Sequence, residues 1–352
     1  MNDPFYIGKK EVKIPVFQGG MGIGISLGGL AGAVAKEGGV GTISISQIGF
    51  REPDFYDNTL AANHRAVQKE LKKAREIAPN GIIAFNIMVA MNQYEEHVRF
   101  AAEAGADMIV SGAGLPVDLP AYTKDYDIAI APIVSTEKSA KVILKYWSKK
   151  YHRTADAVII EGPLAGGHLG FQPKQLERFD RDTYDLEVKK IQNIISGYEE
   201  LYGKKIPVIL GGGICTAEDC HHALSLGVDG VQVATRFVTT KECDADEKYN
   251  MAYINAKKED IAIIKSPVGM PGRAIMNSFI KKIMQGERKA PARCLNCIHT
   301  CDPSNTPYCI TEALIHAAKG ELDQGLIFCG ANSYRAEKIE TVKEVLNSFA
   351  LI

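Results

Sequence analysis

The residues best suited to chemistry in this chain are one histidine behind two glycines and four crowded cysteines. The histidine stands in Glu161-Gly162-Pro163-Leu164-Ala165-Gly166-Gly167-His168-Leu169-Gly170, directly after an apolar run. Bare backbone on its N-terminal side lets the imidazole of His168 reach into a cleft, and imidazole is the side chain best suited to exchange a proton near neutral pH. His64, His97, His152 and His316 have no such setting and read as surface or core residues. Cys294, Cys297, Cys301 and Cys309 give the pattern C-x₂-C-x₃-C-x₇-C. Four thiolates suffice for a tetrahedral zinc or for a [4Fe–4S] cluster. The gaps of two and three, with no second C-x₂-C pair, suit a cluster better than a zinc ribbon, and free thiols are the remaining reading.

Further glycine-rich segments follow other apolar runs. Phe17-Gln18-Gly19-Gly20-Met21-Gly22 places paired glycines where the backbone can come close to a flat ligand, although such a turn needs no ligand to exist. Asn86 interrupts the apolar run Ile83-Ala84-Phe85-Asn86-Ile87-Met88, and its amide must find partners, in a ligand or in a neighbouring loop. Gly211-Gly212-Gly213 and Gln232-Val233-Ala234-Thr235 both end runs of the kind that hold a phosphate through loop N–H groups and a short helix N-terminus. Thr216 is a plausible N-cap for the helix that follows Gly213.

The elements that must position these residues are eight short apolar runs, at 12–17, 40–45, 82–89, 107–111, 128–134, 157–161, 207–210 and 230–234. Each is rich in Val and Ile and bounded by Gly, Pro or polar residues, as strands buried on both faces are. Stretches of helical period lie between them, including 27–37, 92–104 and 217–226, each closed by a glycine just before the next strand. Strand and helix alternating eight times predict an α/β fold, a (β/α)₈ TIM barrel. A doubly wound sheet is disfavoured, because glycine-rich segments follow the first, fourth, sixth and seventh runs, and a barrel gathers all of these around one mouth. After Thr235 the pattern changes. A polar helix is expected over 241–259, a loop over 266–272, a helix over 276–285 and a last helix over 336–349. The reading is therefore a barrel over 1–240 and a helical, cysteine-containing cap over 241–352.

Composition narrows the setting. The 352 residues are 46% hydrophobic and 24% charged, with a formal net charge of -1. That balance offers no electrostatic reason for nucleic acid or an anionic membrane as partner. MNDPFYIGKK lacks the apolar stretch of a signal peptide, and no run of about twenty apolar residues is present, so a cytoplasmic protein with reduced thiols is expected. No oligomeric state follows from the sequence.

Taken together, Gln18-Gly19-Gly20-Met21, Asn86-Ile87, Ala165-Gly166-Gly167-His168, Gly211-Gly212-Gly213-Ile214 and Gln232-Val233-Ala234-Thr235-Arg236-Phe237 resemble the nitronate monooxygenase (2-nitropropane dioxygenase) family in order and spacing, over about residues 12–280. The resemblance implies an FMN barrel. By position, Gly19, Gly20, Met21 and Asn86 would contact the flavin, and Glu161 would sit near its isoalloxazine ring. Gly166 and Gly167 would line the ring, and Gly212, Gly213, Gln232, Val233, Ala234 and Thr235 would hold the phosphate. His168 would match the family's catalytic base. Glu161, Ser111-Gly112-Ala113-Gly114 and Arg236-Phe237-Val238 also look like a flavin-dependent enoyl-acyl-carrier-protein reductase branch of the same superfamily. Leu164 departs from both, which place a carboxylate there. The first three clustered cysteines resemble the cluster-binding run of 2,4-dienoyl-CoA reductase-type flavoproteins.

The function implied is FMN-dependent oxidation of a small carbon acid, with an alkyl nitronate as type substrate, O₂ as electron acceptor and His168 as base. The alternative is an NAD(P)H-dependent reductase of an enoyl thioester. A flavin- or metal-binding barrel without turnover is the third reading, and the intact His168 loop counts against it.

Overall fold

The computed structural model describes residues 4–351. Eight parallel strands close into a barrel: β1 (Val16–Gln18), β2 (Val40–Ser44), β3 (Ile82–Met88), β4 (Met108–Gly112), β5 (Ala129–Val134), β6 (Val158–Glu161), β7 (Val208–Gly211) and β8 (Gly230–Val233). β8 pairs with β1 through Gln232 and Phe17, which seals the ring. The strands match the eight apolar runs, with one displacement. Pro15 has no N–H for a ladder, so β1 starts at Val16 and not at Val12.

The period of two along each strand divides the apolar residues into two layers. Ile82 and Ala84, Met108 and Val110, Ala129 and Ala131, and Ile159 and Ile209 pack together inside the barrel with Phe17 and Val40. Their neighbours Ile83, Phe85, Ile109, Ile130 and Ile160 belong to the outer layer packed under the helices. The hairpin of Tyr6–Ile7 and Lys10–Glu11 plugs the bottom, where Phe5 stacks on Phe17 with centroids 6.3 Å apart. Continuing the inward positions upward gives Ser44, Asn86, Ile133, Glu161 and Gln232 at the mouth. Alternation alone thus carries polar side chains to the upper end of an apolar core.

The C-terminal part is less helical than its sequence suggests. The polar helix is shorter, Glu247–Asn255, and its Tyr249, Asn250 and Tyr253 are buried. Ile261–Lys265 and Pro271–Ile275 form an antiparallel hairpin across the stretch expected to be a loop. Pro271 and Gly272 disguised it, yet Pro271 takes the first position of its strand, where proline is tolerated. The hairpin's second strand pairs with Gly167–His168, making a three-stranded sheet beside the mouth. Helices Ser278–Met284, Ile310–Ala318 and Val342–Ser348 complete this part. Among the described residues, no helix is long and apolar enough to cross a membrane.

Candidate active site

The ends of the barrel strands enclose a cavity of about 240 Å³. Of the residues singled out in the sequence, Gly19, Gly20, Met21, Asn86, Glu161, Gly166, Gly167, His168, Gly212, Gly213, Gln232, Ala234 and Thr235 all line it. Val233 is buried in the barrel wall instead, where its carbonyl accepts from Gly19 N–H at 2.9 Å. Asn86 Nδ2 donates to Val110 O at a long 3.4 Å, which leaves most of the amide's bonding capacity facing the cavity.

Strands β7 and β8 end in a cluster of free donors. Gly213, Ile214, Ala234 and Thr235 line the cavity, and their backbone N–H groups have no hydrogen-bond partner among the described residues. Thr235 opens the short helix Thr235–Val238. Gathered amides and a helix start favour an anion, and a phosphate satisfies them. Gly167 has φ +71 and open space where a Cβ would stand, so this wall can lie flat against a planar ring. The residues present therefore fit FMN: Gly213, Ile214, Ala234 and Thr235 would face its phosphate, and Gly19, Gly20, Met21, Asn86 and Gly167 would lie around its ring.

Two ionisable side chains share the cavity with opposite characters. Burial pushes the Glu161 carboxyl up to about 7, against the pull of Gly170 N–H (3.1 Å to Oε1) and of the Arg273 charge. Burial lowers His168 to about 4, so its imidazole is neutral at physiological pH. His168 Nε2 bonds Ser266 Oγ at 2.7 Å, and its ring meets Phe328 edge-on at 4.9 Å. A neutral imidazole and a carboxyl titrating near 7 are suited to accepting and returning protons.

Sequence reasoning missed the roof. Tyr249, Tyr253, Leu314, Phe328, Cys329, Gly330 and Asn332 also line the cavity. Asn332 Nδ2 donates to Gly213 O at 2.7 Å, and Gly330 N–H donates to Thr235 Oγ1 at 3.3 Å, which fastens this segment to both phosphate-type loops. The available signals were faint: two tyrosines four apart on one helix, and a glycine after the apolar run Leu326-Ile327-Phe328.

The expected metal site at Cys294, Cys297, Cys301 and Cys309 is not supported. Among the described residues, no three His, Cys, Asp or Glu side chains stand together as a metal would need. Cys297 and Cys301 pack against the hydrophobic core as small apolar side chains, while Cys294 is exposed and accepts from Asn296 N–H. Cys309 precedes helix Ile310–Ala318 as its N-cap residue.

A closed (β/α)₈ barrel with an anion cradle at its seventh and eighth strands and a neutral histidine over the mouth defines a flavin-dependent oxidoreductase. The family model described as nitronate monooxygenase matches residues 3–351, and the chain belongs to that family. A probable nitronate monooxygenase of Staphylococcus aureus (strain Newman) is 25% identical over 296 residues, 80% of each chain. In fold, the chain is similar to FabK from Thermotoga maritima, with TM-score 0.72 and 24% identity over 96% of this chain and 93% of that one. It is also similar to nitroalkane oxidase from Streptomyces ansochromogenes, with TM-score 0.69 and 18% identity over 96% of both chains.

Proposed function

We propose that this protein binds FMN and oxidises a small carbon acid through its conjugate base, with an alkyl nitronate as the ionised type substrate, the parent nitroalkane as the form that must first lose a proton, and O₂ as electron acceptor. The observation that carries the reading is the neutral His168 on a cavity also lined by Gly213, Ile214, Ala234 and Thr235, whose amides are unpaired among the described residues. FMN, when bound, supplies the electron transfer. The protein's share is orientation and proton handling. Gly213, Ile214, Ala234 and Thr235 hold the phosphate, the glycine walls admit the ring, and His168 takes the proton of a carbon acid placed against it. Tyr249, Tyr253, Leu314 and Phe328 contribute aromatic and apolar surface to the cavity wall.

A second reading is reduction of an enoyl thioester with NAD(P)H. It draws on the apolar wall of Met88, Ile133, Leu164, Leu314 and Phe328, which suits an acyl chain better than a small anion, and on the likeness to the enoyl reductase branch around Glu161 and Ser111–Gly114. The test is anaerobic flavin reduction by each donor. Rapid bleaching by an alkyl nitronate, with slow bleaching by NADH and NADPH, is the expected outcome. Bleaching by a pyridine nucleotide alone would hand the assignment to the reductase.

A further inference from the structure

We propose that Ser266 is the positioning residue for His168, holding Nε2 so that Nδ1 is the nitrogen that exchanges a proton with the substrate. The inference rests on the proton-transfer reading of His168 given above. Ser266 Oγ lies 2.7 Å from Nε2, and Ser266 is buried and does not line the cavity. The bond therefore turns Nε2 away from the reacting space. Nδ1 has no protein partner, yet it is not among the buried atoms left unsatisfied in the described residues. Since His168 lines the cavity, Nδ1 opens into it.

The rest of the surroundings fix the ring without charging it. The His168 backbone pairs with Gly272, and Leu169 N–H donates to Pro271 O at 2.9 Å. Phe328 meets the ring edge-on and limits its tilt. Ser266 itself is held in a tight turn, where its N–H donates to Met270 O and its carbonyl accepts from Gly269 N–H, both at 3.0 Å. Thr300 Oγ1 donates to Val268 O at 3.1 Å and braces that turn from outside. The other ionisable groups around the cavity are Glu161, Cys215, Tyr249, Tyr253 and Cys329, with Arg273 behind the wall, and none is a hydrogen-bond partner of the ring.

A hydroxyl suits this task better than a carboxylate. In this role its oxygen accepts from Nε2–H, which leaves Nδ1 bare in the neutral ring, and the contact persists when Nδ1 gains a proton and the ring becomes cationic. A carboxylate at the same place would raise the ring's basicity and hold the cation before substrate arrives. Serine positions the ring and leaves it neutral.

The experiment compares wild type, S266A, S266C, S266T and H168N, each loaded with flavin and checked for flavin content and melting temperature. The first readout is independent of turnover: ¹⁵N shifts of the His168 ring in histidine-labelled protein. Wild type should give one dominant tautomer, and S266A or S266C a mixture. In steady state, S266A and S266C should lose about tenfold or more in kcat with a carbon-acid substrate, with KM and flavin content nearly unchanged. S266T, which keeps the hydroxyl, should restore both readouts. S266A and S266C with a single tautomer and wild-type kcat would overturn the proposal, provided H168N has lost turnover. If H168N itself turns over normally, the proton-transfer reading fails first, whatever the serine does.

Discussion

Arg273 reaches from the C-terminal hairpin to the loop that follows β6, donating to Pro163 O at 3.0 Å through Nη2 and to Ala165 O through Nη1. The guanidinium is buried and forms no ion pair among the described residues, so two carbonyls and the nearby Glu161 and Cys329 are its setting. A planar fork spans two carbonyls in a way that an ammonium does not. Arg273→Lys should loosen the 162–168 loop and weaken flavin binding by about tenfold, since hydrogen bonds to charged groups contribute roughly 1.5–3 kcal/mol each. Titration of flavin-free protein with FMN, followed by flavin fluorescence, measures it. Unchanged affinity would mean that the loop holds its shape without the arginine.

Removing the imidazole tests the chemistry directly. Losing a positioned acid–base group typically costs about 10²–10⁴ in rate. His168→Asn should keep flavin and fold but lose turnover of a protonated carbon acid on that scale. A pre-ionised substrate should recover much of the rate, because its proton is already gone. Near-normal turnover of the protonated substrate would reduce His168 to a structural part.

Glu161 makes stability depend on pH in an unusual direction. Its folded value, about 7, lies above the ordinary carboxylate value. Between those values the folded chain keeps a proton that the unfolded chain releases, so the contribution is fully present at low pH and is lost as pH rises through 7. Flavin-free wild type should therefore lose more melting temperature between pH 5 and pH 8 than Glu161→Gln does. Parallel curves would show that the carboxyl is ionised throughout.

Asp244 offers a prediction remote from the site. Its carboxylate accepts from the N–H groups of Leu27, Gly29 and Leu30 at 2.9, 3.2 and 2.9 Å, and pairs with Lys73 at 3.0 Å. Helix Gly28–Lys36 is thus capped by a residue more than two hundred positions away. Asp244→Ala leaves those donors unpaired and should cost about 2 kcal/mol, lowering the melting temperature by several degrees with flavin content unchanged. An unaltered melting curve would contradict the cap.

Substituting glycines separates packing from cofactor contact. A Cβ on Gly166 would stand 2.6 Å from the backbone of Cys329, whereas one on Gly167 would meet open cavity. Gly166→Ala should displace the roof and lower the melting temperature even without flavin, as overpacking commonly costs about 1–3 kcal/mol. Melting curves of the flavin-free variant decide it, and a wild-type value would mean that the roof yields freely.

The barrel and its floor of inward residues were legible because their signals are local. Alternation along Ile82–Met88 already puts Asn86 on the same face as Ile82 and Ala84, and glycines mark where strands end. The roof was illegible for the opposite reason. Nothing near Ser266 in sequence says that it will meet His168, and Pro271-Gly272 reads as a turn until pairing with Gly167–His168 makes it a strand. The cysteine spacing called for a metal site that the structure does not support, and sequence intervals do not reveal that Cys297 and Cys301 pack against the core.

The contact between His168 and Ser266 spans 98 positions, and Phe328 joins the ring from still further along the chain. All eight barrel strands are complete by Val233. During synthesis, then, the barrel strands and both phosphate-type loops leave the ribosome well before the pieces that set the histidine. A chain that ends near residue 240 carries both phosphate-type loops but lacks Gly330 and Asn332, which fasten them, as well as Ser266 and Phe328, which set the imidazole. The parts of the site that aim the histidine and the parts that fasten its anion loops thus belong to one late stretch of the chain.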